Sequence, residues 1–256
     1  MSKIPYYHIF IILSIGIIFT SSCQSNKKNS ESLSIATSAN AQFAIKEIAN
    51  VFQDSTGNDV EIIVSSSGKL ASQIMEGAPY DIFISADMVY PTTLYSNGLS
   101  SQVPKAYAKG KLALWSKEQV EMPLSVTIFH KENTKIALAN PETAPYGIAA
   151  VETLKKLKLY KNNKPKFVFG ESISQVNQFI KSESVDFAFT SSSVANLPQF
   201  SDRGYWQIIN DSLHMPILQG ILLINGEKEN QANAFIEFLN GETAAEILKK
   251  HGYDKP

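Results

Sequence analysis

The sequence predicts an α/β fold of two lobes, each a mostly parallel sheet flanked by helices, with a ligand cleft between them. Three observations carry that prediction. Strand-like and helix-like patterns alternate from Leu33 onward, and such alternation builds parallel sheets covered by helices. With 44% hydrophobic and 18% charged residues, the chain can fill a sizeable core rather than stay disordered. Setting aside the first 22 residues leaves about 234, more than one domain of typical size, with no long Gly/Pro-rich linker to separate beads on a string.

The elements follow in order. Residues 33–36 (LSIA) read as a short strand, and Ile45, Ile48, Ala49 and Phe52 fall on one face of a helix that Gly57 closes. Residues 60–64 give the next strand, and Leu70, Ala71 and Ile74 mark a second helix ending near Gly77 and Pro79. The run 81–85 (DIFIS) is a third, buried strand. The second half repeats the alternation, with a strand over 135–139, a helix through Ile148, Val151 and Leu154, and a strand over 166–169. A helix carrying Ile173, Val176 and Ile180 then leads to a strand over 185–189. Ala232, Phe235, Ile236 and Leu239 form a late helical stripe. The apolar stretches 111–115 and 217–224 are the candidate crossings between lobes. They divide the chain into 33–112 plus 220–256 for the first lobe and 113–219 for the second.

Residues 1–22 read as an export signal. Lys3 gives a positive start, and residues 9–19 form an apolar run broken only by Ser14 and Gly16. That run fits a signal h-region and is too short to span a bilayer. Thr20-Ser21-Ser22-Cys23 resembles a bacterial lipoprotein lipobox, although Thr stands where Leu is usual. On that reading Cys23 is the lipid attachment point, and the polar residues 23–32 are a flexible tether.

Composition removes several function classes. The chain has 23 Lys+Arg against 24 Asp+Glu, a formal charge of −1; without the signal it is 22 − 24 = −2. A nucleic-acid partner is not expected at this balance. Arg203 is the only arginine and Cys23 the only cysteine. An arginine fork for an anion, an intramolecular disulfide and a cysteine-rich metal site therefore cannot be built. His130, His214 and His251 have no ligand-like spacing, and Trp115, Tyr205 and Trp206 are more simply packing residues than a sugar platform.

The polar signal lies where strands hand over to helices. Four turns do so: TSAN (37–40), SSSG (65–68), PETAPYG (141–147) and ESIS (171–174). Each sets hydroxyl or amide groups beside the unpaired N–H groups of a helix N-terminus, which favour an anion. One such turn is ordinarily just a cap. The recurrence of four, two in each half and without arginine, points instead to a neutral cage of preorganised donors.

At these turns the sequence resembles the periplasmic molybdate-binding proteins of ABC importers, class II solute-binding proteins. The likeness runs over about 33–253. It is densest in 65–87 (SSSGKLASQIMEGAPYDIFISAD), with support from ANPETAPYGIAA (139–150), from 171–180 and from GETAAEILKKHGY (241–253). The resemblance implies the type II periplasmic-binding-protein fold and a molybdate ligand, with tungstate accepted because it is nearly the same size. Carried over by motif position, it implies oxyanion contacts at Asn40, Ser67, the backbone N–H of Tyr146 and the backbone N–H of Ile173. Thr190 stands where some members use a tyrosine hydroxyl. It further implies an ABC permease as partner, a monomer held to the membrane by its lipid alone, no cofactor, and molybdenum met only as the oxyanion.

Three other readings compete. A sulfate or phosphate receptor is the nearest. An exported serine acylase would use the Ser-x-x-Lys spacing of Ser66 and Lys69, but the accompanying Ser-Asp-Asn and Lys-Thr-Gly elements are absent. A lipoprotein with only an adhesive role is the third. No Gly-x-x-x-x-Gly-Lys-Ser/Thr loop occurs, so ATP hydrolysis would belong to the permease.

Overall fold

Ten strands and seven helices longer than one turn make up the described residues, which in this computed structural model are 32–120 and 133–256. The signal, Cys23, the tether through residue 31 and His130 lie outside them. In the first half, β1 (Leu33–Ser38), α1 (Gln42–Thr56), β2 (Val60–Ser65), α2 (Ser67–Met75), β3 (Ile82–Ser85), α3 (Val89–Ser96) and β4 (Lys105–Gly110) succeed one another. The second half has β5 (Leu112–Ser116), β6 (Ile136–Ala139), α4 (Pro145–Lys156), β7 (Phe167–Gly170), α5 (Ile173–Lys181), β8 (Phe187–Ser191) and β9 (Tyr205–Ile208). Then β10 (Ile217–Leu223), α6 (Glu229–Leu239) and α7 (Glu242–Lys250) complete the chain.

The strands form two five-stranded sheets, β2-β1-β3-β10-β4 and β7-β6-β8-β5-β9. In each, the first three strands are parallel. The fourth runs against both neighbours, so four strands of every sheet point one way. The expected two-lobed architecture is what the chain adopts, with one reversed strand per sheet.

Burial on both faces explains why the central strands read as unbroken apolar runs. In β1, β3 and β10, Ile35, Ile84 and Ile221 pack on one side with α1 and α6, where Phe52 meets Phe235 edge-on at 5.2 Å. Ala36, Phe83 and Leu222 point to the other side, with Leu70 and Ile74 of α2 and Leu94 of α3. The second sheet has its own core around Leu138, Leu154, Val176 and Phe189. Gly57 ends α1 in the left-handed conformation, φ 73°, which costs glycine little.

Several boundaries move from their expected places. The chain passes between sheets at Lys111 and again over 209–216. Leu112 therefore pairs within the second sheet, opposite Ser191, and Ile217, Leu218 and Gln219 pair within the first. The stretch 217–224 is thus largely a strand of the first lobe and not a crossing. The last parallel strand of the second sheet begins at Phe187, two residues late. Ile148 is 41% exposed, because α4 starts at Pro145 and its buried stripe is Tyr146, Ala149, Ala150, Thr153 and Leu154, the i, i+3, i+4 repeat of one helix face.

A pocket of amides and hydroxyls between the lobes

The four turns come together. β1 and β2 are parallel neighbours in register, Ser38 opposite Ser65, so the turns that follow them leave the sheet side by side. β6 and β7 repeat this in the second sheet, Ala139 opposite Gly170, and the Asn140 N–H donates to the Gly170 carbonyl at 2.7 Å. The two pairs face each other across one small pocket. From the first lobe it is lined by Ser38, Asn40, Ser66 and Ser67, and from the second by Tyr146 and Ile173. Ala39, Ala86, Ala144 and Pro145 close its walls. Among the described residues, no charged side chain lines it.

Backbone geometry leaves donors in the pocket. Among the described residues no acceptor takes the N–H of Asn40, Ser67, Tyr146 or Ile173. Three of these open helices, where the first N–H groups have no partner within the helix. Pro145 occupies the first position of α4, so Tyr146 carries that helix's first available amide. The side chain of Ser67 is oriented too: its Oγ accepts from the Ala86 N–H at 3.0 Å, leaving its own O–H to donate. The Oγ atoms of Ser38 and Ser66 are buried and have no partner among the described residues.

Asn40 behaves differently from Ser67. Its Nδ2 donates to Gln219 Oε1 at 2.7 Å and to Tyr253 Oη at 3.0 Å. Its carbonyl accepts from Tyr253 Oη at 2.9 Å and from Ser193 Oγ at 2.8 Å. Gln219 lies at a register shift in β10, between Gln219 and Gly220, and such bulges re-aim side chains beside sites. On the second lobe Ser191 Oγ donates to Tyr146 Oη at 3.2 Å. Burial holds the Tyr146 phenol well above its ordinary pKa and pushes Tyr253 up to about 12, so both remain neutral hydroxyls at any physiological pH.

The rim is bridged directly. The Gly68 N–H donates to the Thr143 carbonyl across the cleft at 2.9 Å. A Cβ on Gly68 would lie 2.9 Å from Thr143 Cα and 2.7 Å from Tyr90 Oη, so this approach needs glycine. Gln42 Nε2 donates to Ser174 Oγ at 2.9 Å, Tyr90 Oη donates to the Glu142 carbonyl at 3.2 Å, and Lys69 pairs with Glu171. Lys69 therefore spans the cleft mouth.

Four of the five residues carried over from the family thus meet in one pocket. Thr190 does not join them: it is fully buried, and its Oγ1 donates to Asn177 Oδ1 of α5 at 2.7 Å. Sequence reasoning passed over Ser38, Ser66 and the Gln219–Tyr253–Ser193 support. The two serines sit inside turns already singled out, but nothing in a run such as SSS says which hydroxyls face inward. The indoles of Trp115 and Trp206 donate to the carbonyls of Arg203 and Phe200, so both tryptophans are packing residues.

The model of the bacterial extracellular solute-binding protein family matches residues 33–254. The chain belongs to that family. A curated relative, the molybdate-binding protein ModA of Rhodobacter capsulatus, is 34% identical over 222 residues, 85% of this chain and 86% of its own length. The molybdate-binding protein ModA of Azotobacter vinelandii is also 34% identical, over 86% of this chain and 88% of its own. The solved periplasmic molybdate-binding protein of that organism superposes with a TM-score of 0.81 at 28% identity, covering 88% of this chain and 99% of the other. For a solute-binding protein of this fold, a pocket between two lobes is the natural ligand site.

Proposed function

We propose that this chain captures molybdate outside the cytoplasm and delivers it to an ABC permease. The observation that carries the reading is the pocket: unpaired N–H groups from four turns and inward hydroxyls converge on one small space between the lobes, without a charged side chain among the described residues. Preorganised neutral donors bind an oxyanion well where water is excluded. The 34% identity to molybdate-binding proteins supports this ligand over others.

Size favours molybdate over sulfate. The two share charge and tetrahedral shape, but donors fixed on helix N-termini and spaced for the larger anion leave the smaller one with stretched hydrogen bonds. Tungstate, nearly the same size as molybdate, binds alongside it. Phosphate carries a proton near neutral pH, and no carboxylate among the described residues lines the pocket to accept it. Asn40, Ser67, Tyr146 and Ile173 are the contacts from the four turns, and Thr190 is left out of the set. Export follows from residues 1–22, with Cys23 as the lipid anchor. A serine acylase has less support: Lys69 is engaged with Glu171, and no hydrogen bond among the described residues joins Ser66 to it.

A thermal-shift series with molybdate, tungstate, sulfate, phosphate and chromate tests the reading. A ligand at 100 times its Kd adds about 2.7 kcal/mol to stability. Selective shifts with the first two are expected. A shift with sulfate or phosphate alone assigns a different anion, and no shift with any of them refutes oxyanion capture.

A further inference from the structure

We infer that Ser38 and Ser66 donate their hydroxyls to the bound anion, and that the Asn40 side chain is a strut that positions the first turn. This rests on the oxyanion-capture reading and names which side chains of that site do the work.

Ser38 is 1% and Ser66 3% exposed, both line the pocket, and neither Oγ has a partner among the described residues. An unpaired buried hydroxyl is costly, and two of them at one small pocket are accounted for when an acceptor arrives there. Ser66 adds a second observation. It stands at the N-cap of α2 with extended φ/ψ of −72° and 150°, yet its side chain makes no cap hydrogen bond, although N-cap serine ordinarily accepts from the following amides. Its hydroxyl is therefore free for the cleft.

Asn40 is the opposite case. Both Nδ2 hydrogens go to Gln219 and Tyr253. What its amide group retains is Oδ1, an acceptor that offers an anion nothing. Its donor toward the pocket is the backbone N–H, held in place by Tyr253 and Ser193 on its own carbonyl. The hydroxyl of the first turn thus comes from position 38, two residues before the position the family motif indicates.

Calorimetric titration of molybdate into the wild-type chain, S38A, S66A and N40A, with melting curves of each without ligand, separates the roles. S38A and S66A are expected to melt at or above the wild-type temperature, because each removes an unsatisfied hydroxyl. Each is expected to bind about tenfold to a hundredfold more weakly. N40A is expected to melt lower and to lose less affinity than S38A. Wild-type binding with S38A and S66A unchanged overturns this inference alone, as does an N40A that melts normally yet loses more affinity than S38A. A wild-type chain that binds no oxyanion overturns the capture reading and this inference with it.

Discussion

The two lobes share one sheet plan and differ in what they bring to the pocket. The first presents side chains as well as amides: Ser38 at the end of β1, and Ser66 and Ser67 where β2 hands over to α2. The second presents the backbone, through the N–H groups of Tyr146 and Ile173 at the starts of α4 and α5. The difference separates two kinds of sensitivity. One half of the cage can be dismantled by trimming side chains. The other responds only to changes that delete an amide or keep the lobes apart.

The largest effect should come from closure itself. Gly68→Val places side-chain atoms against Tyr90 of its own lobe and Thr143 across the cleft; overpacking of this kind costs about 1–3 kcal/mol, and the loss of all second-lobe contacts adds to it. A thermal-shift assay should show a folded protein that molybdate no longer stabilises; normal stabilisation would mean the lobes need not approach as described. Ser67→Ala tests the first lobe directly and should cost about 1–3 kcal/mol of molybdate binding, read by calorimetry. Ile173→Pro is its counterpart in the second. Proline is tolerated at the first position of a helix, and the extended Ser172, φ −151° and ψ 171°, suits the residue before it. Ile173→Ala keeps the N–H while losing the side chain, so the affinity gap between the two variants isolates the amide. Equal affinities would remove Ile173 from the cage.

Smaller effects belong to the surface. Lys69→Met removes the ion pair with Glu171, whose side chains are 44% and 62% exposed; it should cost under about 1 kcal/mol, and the loss should shrink further in high salt. A large, salt-insensitive loss would make Lys69 an anion ligand. Away from the cleft, the hydrogen bond from Lys109 holds the Asp211 carboxyl below its usual pKa. Its stabilisation is present above the unfolded-state pKa and disappears as pH falls through the folded one. Asp211→Asn should therefore melt slightly lower than wild type at neutral pH and converge with it in acid.

The sequence reveals the fold where burial is two-sided and periodic. Residues 33–36 and 81–85 and the stripe of α1 are legible because each strand face or helix face meets a core. Elements that depend on partners are not: α3, with Val89 exposed and only Pro91 and Leu94 buried, and the short β9 on a sheet edge carry little pattern of their own. The turns are legible as donor-rich helix starts, since that property is local. The state of each side chain is not, because it is set from far along the chain. Asn40 is occupied by Gln219 and Tyr253, 179 and 213 residues away, and Thr190 by Asn177. Local spacing cannot tell an occupied donor from a waiting one.

The claim that the cage is neutral is tested most directly by calorimetric titration of molybdate into the wild-type protein at pH 6, 7.5 and 9. Tyr146, the one titratable side chain lining the pocket among the described residues, is held well above its ordinary pKa by burial, so no protein group there changes charge over this range. The account predicts one molybdate per chain with the same affinity at all three values. Affinity that rises or falls steeply across the range would place a titrating side chain on the anion and contradict it.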